Sequence, residues 1–237
     1  MFTLILAESS IERIPPQLVR HPSVIAHARK RNREPSSLIL DRSYHHSAIK
    51  AAEGKNPSED FLKRGRPDIA FHVLLQALGS PLSREGLMRT HVHTIDDNVI
   101  DLDPHVNLPR NYDRFIGLLE QLHGEKSVPP GERPLLSIRK CTLPELVSES
   151  RVSPVVAFST LGKPASVEHA CLPIVKADAP AVLIGGFAHS HFNRSTTQLA
   201  SHVFSIDREP LDAWIVAARV IYEYERGIHL PQKRLKA

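Results

Sequence analysis

The sequence predicts an α/β fold built on a largely parallel sheet. Short apolar runs of strand length alternate along the chain with amphipathic stretches of helical period, the pattern of strands joined by crossover helices. A length of 237 residues with 41% hydrophobic content is enough for a single domain spanning residues 1–237 with a buried core. No apolar run approaches the ~20 residues needed to cross a bilayer. Two cysteines, Cys141 and Cys171, are too few for a disulfide framework. Membrane insertion, a secreted disulfide scaffold and wholesale disorder are excluded, and a soluble, cytoplasmic protein is expected.

Taken in order, Phe2–Ala7 is a buried first strand, too short and too poor in flanking base for a signal peptide. Ser23–Arg33 follows Pro22 as a helix with its basic residues at the far end, where they complement the helix dipole. Leu38–Leu40 is a second strand stopping at Asp41. Asp68–Leu78 places Ile69, Val73, Leu74 and Leu78 on one helical face, with Pro67 at its start and Gly79 at its end. Arg89–Ile95 and Val99–Asp103 flank Asp96-Asp97-Asn98 and form an inserted β-hairpin with a tight polar turn. Tyr112–His123 is a helix ended by Gly124, and residues 125–134, rich in Pro and charge, form a loop. Three short apolar strands follow in Leu135–Ile138, Pro154–Phe158 and Ala181–Ile184, and Leu211–Arg226 is the closing helix.

Charge is concentrated rather than spread. Between His21 and Ala70 stand ten basic residues (Arg29, Lys30, Arg31, Arg33, Arg42, Lys50, Lys55, Lys63, Arg64 and Arg66) against six acidic ones. That excess of four equals the formal net charge of the whole chain. Such a cluster attracts a polyanion, although a solvated surface accounts for the same count. A second basic stretch, Asn107-Leu-Pro-Arg-Asn-Tyr-Asp-Arg114, spaces Arg110 and Arg114 four apart, as on one helix face. In Arg66-Pro67-Asp68 the proline fixes the backbone, so the carboxylate can hold the guanidinium fork ready for phosphate or a base edge. A pair of surface salt bridges is the plainer alternative.

Three post-strand loops suit an adenosine-containing ligand: Phe158–Lys163, Gly185–Ser190 and Ser205–Leu211. Each offers backbone donors, and the glycines permit close approach. A GxGxxG fingerprint and a P-loop are both missing, so a dinucleotide or ATP fold is disfavoured. The fourteen histidines include His45-His46, His91, His93, His189 and His191, but none has ligand spacing with carboxylates, and no metal is expected. Cys171 lies in an apolar Ala-Cys-Leu-Pro setting that favours an inert thiol, and hydrolase chemistry has no support.

Together these motifs resemble a known family. Arg66-Pro-Asp-Ile-Ala-Phe-His72 is followed by Gly79-Ser-Pro-Leu82, the His91-Val-His-Thr94 strand and Asn107-Leu-Pro-Arg110. Then come the Arg114–Leu122 helix, Ile184-Gly-Gly-Phe-Ala-His189, and Ser205-Ile with Pro210-Leu-Asp-Ala213. This order is similar to the Nep/Emg ribosome-biogenesis methyltransferases of the SPOUT superfamily, over roughly residues 60–226. The resemblance implies an α/β trefoil knot, a parallel sheet flanked by helices, and a homodimer. It implies S-adenosyl-L-methionine as cofactor, held by knot loops within about 154–226 at Thr160, Gly185, Ser190, Ile206, Asp207, Arg208, Glu209, Pro210 and Leu211. The activity implied is methylation of N1 of a specific pseudouridine in small-subunit rRNA. A basic RNA-binding region would lie in about 21–114, with Arg66, Arg110 and Arg114 on the RNA and Arg66 and Asp68 at the catalytic centre. The chain departs from the family pattern at Asn107 and at Ser190-His-Phe192. Two other readings share the same surface: a non-catalytic rRNA-binding assembly factor, and a SPOUT enzyme for another nucleotide, such as one in tRNA.

Overall fold

The structure is a computed structural model that describes residues 1–53 and 58–236; Lys55 of the basic count lies outside the described residues. In chain order the elements are β1 (Phe2–Ser9), α1 (Pro22–Arg31), α2 (Arg42–Glu53), α3 (Glu59–Leu62), α4 (Pro67–Leu78), α5 (Pro81–Arg84), β2 (Met88–Thr94) and β3 (Asn98–Leu102). They continue with α6 (Tyr112–Glu125), β4 (Ser127–Val128), β5 (Leu136–Lys140), α7 (Leu143–Ser150), β6 (Val155–Pro164), α8 (Val167–Val175), β7 (Ala181–Gly185), α9 (Arg194–Leu199), β8 (His202–Ser205), α10 (Ala213–Gly227) and α11 (Leu230–Leu235).

All eight strands form one sheet in the order β4-β5-β3-β2-β1-β7-β6-β8. From β2 to β8 every pairing is parallel, whereas β3, β5 and β4 add an antiparallel wing. Every residue of β1 is buried, as expected of a central strand covered on both faces. On one face Phe2, Leu4, Leu6, Val182 and Ile184 pack against α4, α6, α8 and α10. On the other, Ile5, Ala7, Ala157 and Leu183 meet Leu143 and Leu146 of α7, together with Phe192. A separate small core of Ile14, Leu18, Val24, Ala28, Leu38, Leu40, Ala48 and Ile49 joins α1 to α2.

The predicted α/β class and parallel sheet are observed, with three local corrections. Leu38–Leu40 is not a sheet strand. It makes an isolated bridge with Arg13, through Ile14 N–H to Leu38 O and Leu40 N–H to Glu12 O at 2.9 Å each. A 3-10 turn before it and the Asp41 cap of α2 after it leave three residues, and these serve the small core. Gly124 does not end α6, which runs to Glu125 and is closed by Lys126 in the left-handed region. The 125–134 loop contains β4, paired with β5. The inserted hairpin is observed, and it extends the main sheet, with β2 paired to β1 and β3 paired to β5. No described helix is long and apolar enough to cross a membrane.

Burial of polar rings sets one pH dependence. His123 of α6 is buried, and its Nε2 finds no hydrogen-bond partner among the described residues. Loss of hydration pushes its pKa down to about 4 from the ordinary 6.5. The unfolded chain therefore binds a proton that the folded chain refuses between those values. The neutral ring's contribution is complete above pH 6.5 and is lost as pH falls toward 4. His123→Leu is expected to raise the melting temperature more at pH 5 than at pH 8. Equal shifts at both pH values in thermal scans would contradict this account.

Candidate functional site

The carboxyl ends of β6, β7 and β8 carry the three loops singled out in the sequence, and the fold brings them together. In β6, Phe158 and Lys163 both pair with Phe204, so residues 159–162 are pushed out of the ladder as a wall. Gly162 makes that possible, because a Cβ there would lie 2.5 Å from the Phe204 carbonyl carbon. After β7, Gly186 donates its N–H to Ala7 O and accepts from Ser10 N–H, both at 2.9 Å. A Cβ on Gly186 would meet Ser9 Oγ at 2.2 Å, so this close approach to β1 requires glycine. Beyond β8, Asp207 Oδ1 accepts from Glu209 N–H at 3.1 Å and shapes the third loop as an Asx-type turn.

Between the loops lies a cavity of about 310 Å³, lined by Phe158, Thr160, Gly185, Phe187, Ser190, Phe192, Pro210 and Leu211 among others, and closed below by Ala213 and Val216 of α10. A hollow of about 80 Å³ shares Thr160 and Leu211 with it and adds Ile206, Asp207 and Glu209. Arg208 lines neither; it faces an outer groove with Thr160 and Ile206. Ser190 holds a φ of 78°, and its buried Oγ has no hydrogen-bond partner among the described residues. An unsatisfied buried hydroxyl is costly, and it fits a ligand that brings its own polar atom. Apolar walls, backbone amides and one such hydroxyl suit a flat nucleoside with a hydrogen-bonding sugar.

The second constellation stands at the starts of α4 and α6. Arg66 Nε donates to Asp68 Oδ1 and Arg66 Nη2 to Asp68 Oδ2, both at 2.8 Å, a bidentate fork held across Pro67. The Asp68 hydrogen bonds push the Arg66 pKa still higher, so this group remains a cation. Next to it, Tyr112 OH donates to the buried Asp41 Oδ2 at 2.5 Å. Burial, and then that carboxylate, push the Tyr112 pKa well above the tyrosine range. Arg110 and Arg114 are both exposed. They do not share a helix face, because α6 is N-capped by Asn111 and Arg110 precedes the cap.

Much of the basic cluster proves to be internally spent. Lys63 is fully buried against Glu8, Arg64 makes a two-pronged pair with Glu12, and Arg31 reaches Glu120 at 3.2 Å. Arg29, Lys30, Arg33 and Lys50 face solvent. A charged cleft of about 320 Å³ is lined by Glu8, Glu12, Lys63, Arg64, His93 and Asp97, and those six are joined as three pairs. Sequence reasoning missed Glu8, Lys63, Asn193, Asp41 and Tyr112. Only the Lys63-Arg-Gly-Arg66 run drew attention, and it read as surface charge. Among the described residues no three of His, Cys, Asp and Glu gather to hold a metal ion. Burial pushes the Cys171 thiol up to about 12, which leaves it inert at neutral pH.

Comparison with known proteins adds a family. The model of the EMG1/NEP1 methyltransferases matches residues 4–225. A Pyrococcus furiosus protein named ribosomal RNA small subunit methyltransferase Nep1 is 39% identical, over 94% of this chain and 95% of its own length. The Thermococcus kodakarensis protein of the same name is 38% identical, over 97% of this chain and 100% of its own. The crystal structure of Archaeoglobus fulgidus Nep1 bound to S-adenosylhomocysteine superposes with a TM-score of 0.81 at 32% identity, covering 97% of this chain and 98% of that one.

The first wall of the cavity depends on a missing side chain. Gly162→Ala forces Cβ into the Phe204 backbone, and is expected to cost about 1–3 kcal/mol. In a thermal scan that is a fall of several degrees. An unchanged melting temperature would show that the 159–162 excursion is not held against β8.

Proposed function

The chain belongs to the EMG1/NEP1 methyltransferase family, and on that premise we propose that it transfers a methyl group from S-adenosyl-L-methionine to N1 of a pseudouridine in small-subunit rRNA. The observation that carries the reading is the convergence of three post-strand loops on one cavity containing the unsatisfied Ser190 hydroxyl. Thr160, Gly185, Ser190, Pro210 and Leu211 would hold the methyl donor there, with Ile206, Asp207 and Glu209 in the adjoining hollow and Arg208 at its outer rim. These are the loops of a SPOUT-type knot in this reading, with residues 1–237 acting as one domain.

The donor, when bound, supplies an already activated sulfonium methyl. The chain's own task is to place the nucleophile. N1 of pseudouridine is an imide-type nitrogen that must lose its proton as the N–C bond forms, and in-line placement supplies much of the rate. A base inside folded RNA must also leave its stack to be reached. Arg66 presents its free guanidinium edge to the flipped nucleotide and stabilises charge developing on the base carbonyls. Both Asp68 oxygens are engaged by that guanidinium, which supports an orienting role for Asp68 over that of proton acceptor. Arg110 and Arg114, with Arg29, Lys30 and Arg33, supply exposed cations for the RNA backbone. Exposed Leu161, Leu172, Ile215 and Tyr222 support a homodimer, and the enzyme would work in the cytoplasm.

S-adenosylhomocysteine should bind at micromolar order, about −8 kcal/mol by calorimetry, and mass spectrometry of rRNA from a deletion strain should show one N1-methyl lost. An unchanged rRNA with a changed tRNA would transfer the activity to another substrate. Loss of assembly with every methyl intact would favour a binding factor.

Arg110→Ala and Arg114→Ala should each lower the salt slope of RNA binding by about 1, with donor affinity untouched. Asp68→Asn should retain measurable methyl transfer, while Asp68→Ala should bind RNA as poorly as Arg66→Ala. Normal RNA affinity with abolished single-turnover transfer in Asp68→Asn would make Asp68 the base.

A further inference from the structure

The functional reading leaves unused the most deeply buried charged side chain among the described residues. Lys63 is 1% exposed, and a charge so far from water persists only where its partners are fixed. Its ammonium donates to the Glu8 carboxylate and, at 2.9 Å, to Asn193 Oδ1. It also lies 5.0 Å from the centre of the Phe187 ring. The other Glu8 oxygen accepts the Asn193 backbone N–H at 2.9 Å. The Lys63 carbonyl accepts the Ser10 hydroxyl, and the Ser10 N–H holds Gly186 O.

Phe187 and Asn193 bracket the wall of the cavity that contains Ser190 and Phe192. A single ammonium therefore touches both ends of that wall. Phe187 in turn meets Phe192 edge-on at 5.6 Å, which carries the contact across the wall. On its other side Lys63 is joined to Arg66 by two residues. One of these, Gly65, has a φ of 73° and a carbonyl tied to the Arg42 N–H at 2.8 Å. A shift of Arg66 has little slack in which to dissipate before it reaches the Lys63 backbone.

We propose that Lys63, with Glu8 and Asn193, is a positioning residue that holds the 187–193 wall of the methyl-donor cavity and ties it to the Arg66 segment, so that RNA and methyl donor bind with positive cooperativity. This rests on the reading of the two sites given above. Coupling of this kind is reciprocal, so either ligand reports it.

The test is calorimetric titration of S-adenosylhomocysteine into the full chain, with and without a saturating pseudouridine-containing fragment of small-subunit rRNA. In the parent the fragment should tighten donor binding several-fold. Asn193→Ala and Lys63→Met should weaken donor binding about tenfold and abolish its dependence on RNA, with RNA affinity in the absence of donor unchanged. In steady state the donor KM should rise far more than kcat falls, a split that general loss of folded protein does not produce. If Lys63→Met fails to fold, Asn193→Ala decides, since it removes only the loop-side acceptor. Parental donor affinity and parental RNA dependence in Asn193→Ala would overturn the proposal while leaving the functional reading intact. A parent protein that binds neither ligand would defeat the functional reading and the proposal together.

Discussion

The site hangs on the seam between β1 and the loop that leaves β7. Gly186 is laced to β1 from both sides, through Ala7 O and Ser10 N–H, at a separation that no side chain could enter. At the same place β1 departs from regular pairing: its register with β2 shifts between Leu6 and Ser9, and Glu8 takes a φ of 51°. A non-glycine residue in the left-handed region costs of order 1–3 kcal/mol and persists when its surroundings over-determine it. Here the surroundings are explicit. The Glu8 N–H donates to His93 Nδ1 at 3.3 Å, and its carboxylate is held by Lys63 and by the Asn193 backbone. The bend is what turns a carboxylate from the central strand toward the loops above it.

What the sequence revealed and what it hid divide along the range of the interactions. Phe2–Ala7, Ala181–Ile184 and Asp68–Leu78 were legible because one period or one apolar run specifies each. The three loops were legible as strand ends rich in Gly, Ser and Pro, although their meeting at one cavity depends on strand order, which no local pattern encodes. Some misses had signals. Thr142 and Glu145 form the capping box of α7, and Asn111 lies three residues before Arg114 as the cap of α6. Reading Asn111 as a cap would have separated Arg110 from the helix.

Other misses had no local signal. Lys63 and Arg64 stand beside Arg66 in one basic run, yet two of the three are neutralised by Glu8 and Glu12, more than fifty residues away in sequence. Counting charges overstated the surface field for this reason. The cations that face solvent, at the end of α1 and at Arg110 and Arg114, are fewer than that count implies. The resemblance supplied the chemistry, whereas the fold decided which charges are available to perform it.

The small core that joins α1 to α2 is separate from the two that sandwich the sheet. Its inner edge is closed by a chain of neutral rings: Asp41 N–H donates to His45 Nδ1 at 3.0 Å, and His45 Nε2 lies 2.9 Å from His27 Nδ1. The basic end of α1 therefore rides on a cushion of its own, with its apolar contacts kept apart from those beneath the loops. Drift in Leu18, Val24 or Ile49 can re-tilt the exposed cations of α1 while the walls of the loop cavity keep their shape. Lineages can thus retune that charged surface without rebuilding the cavity between the loops.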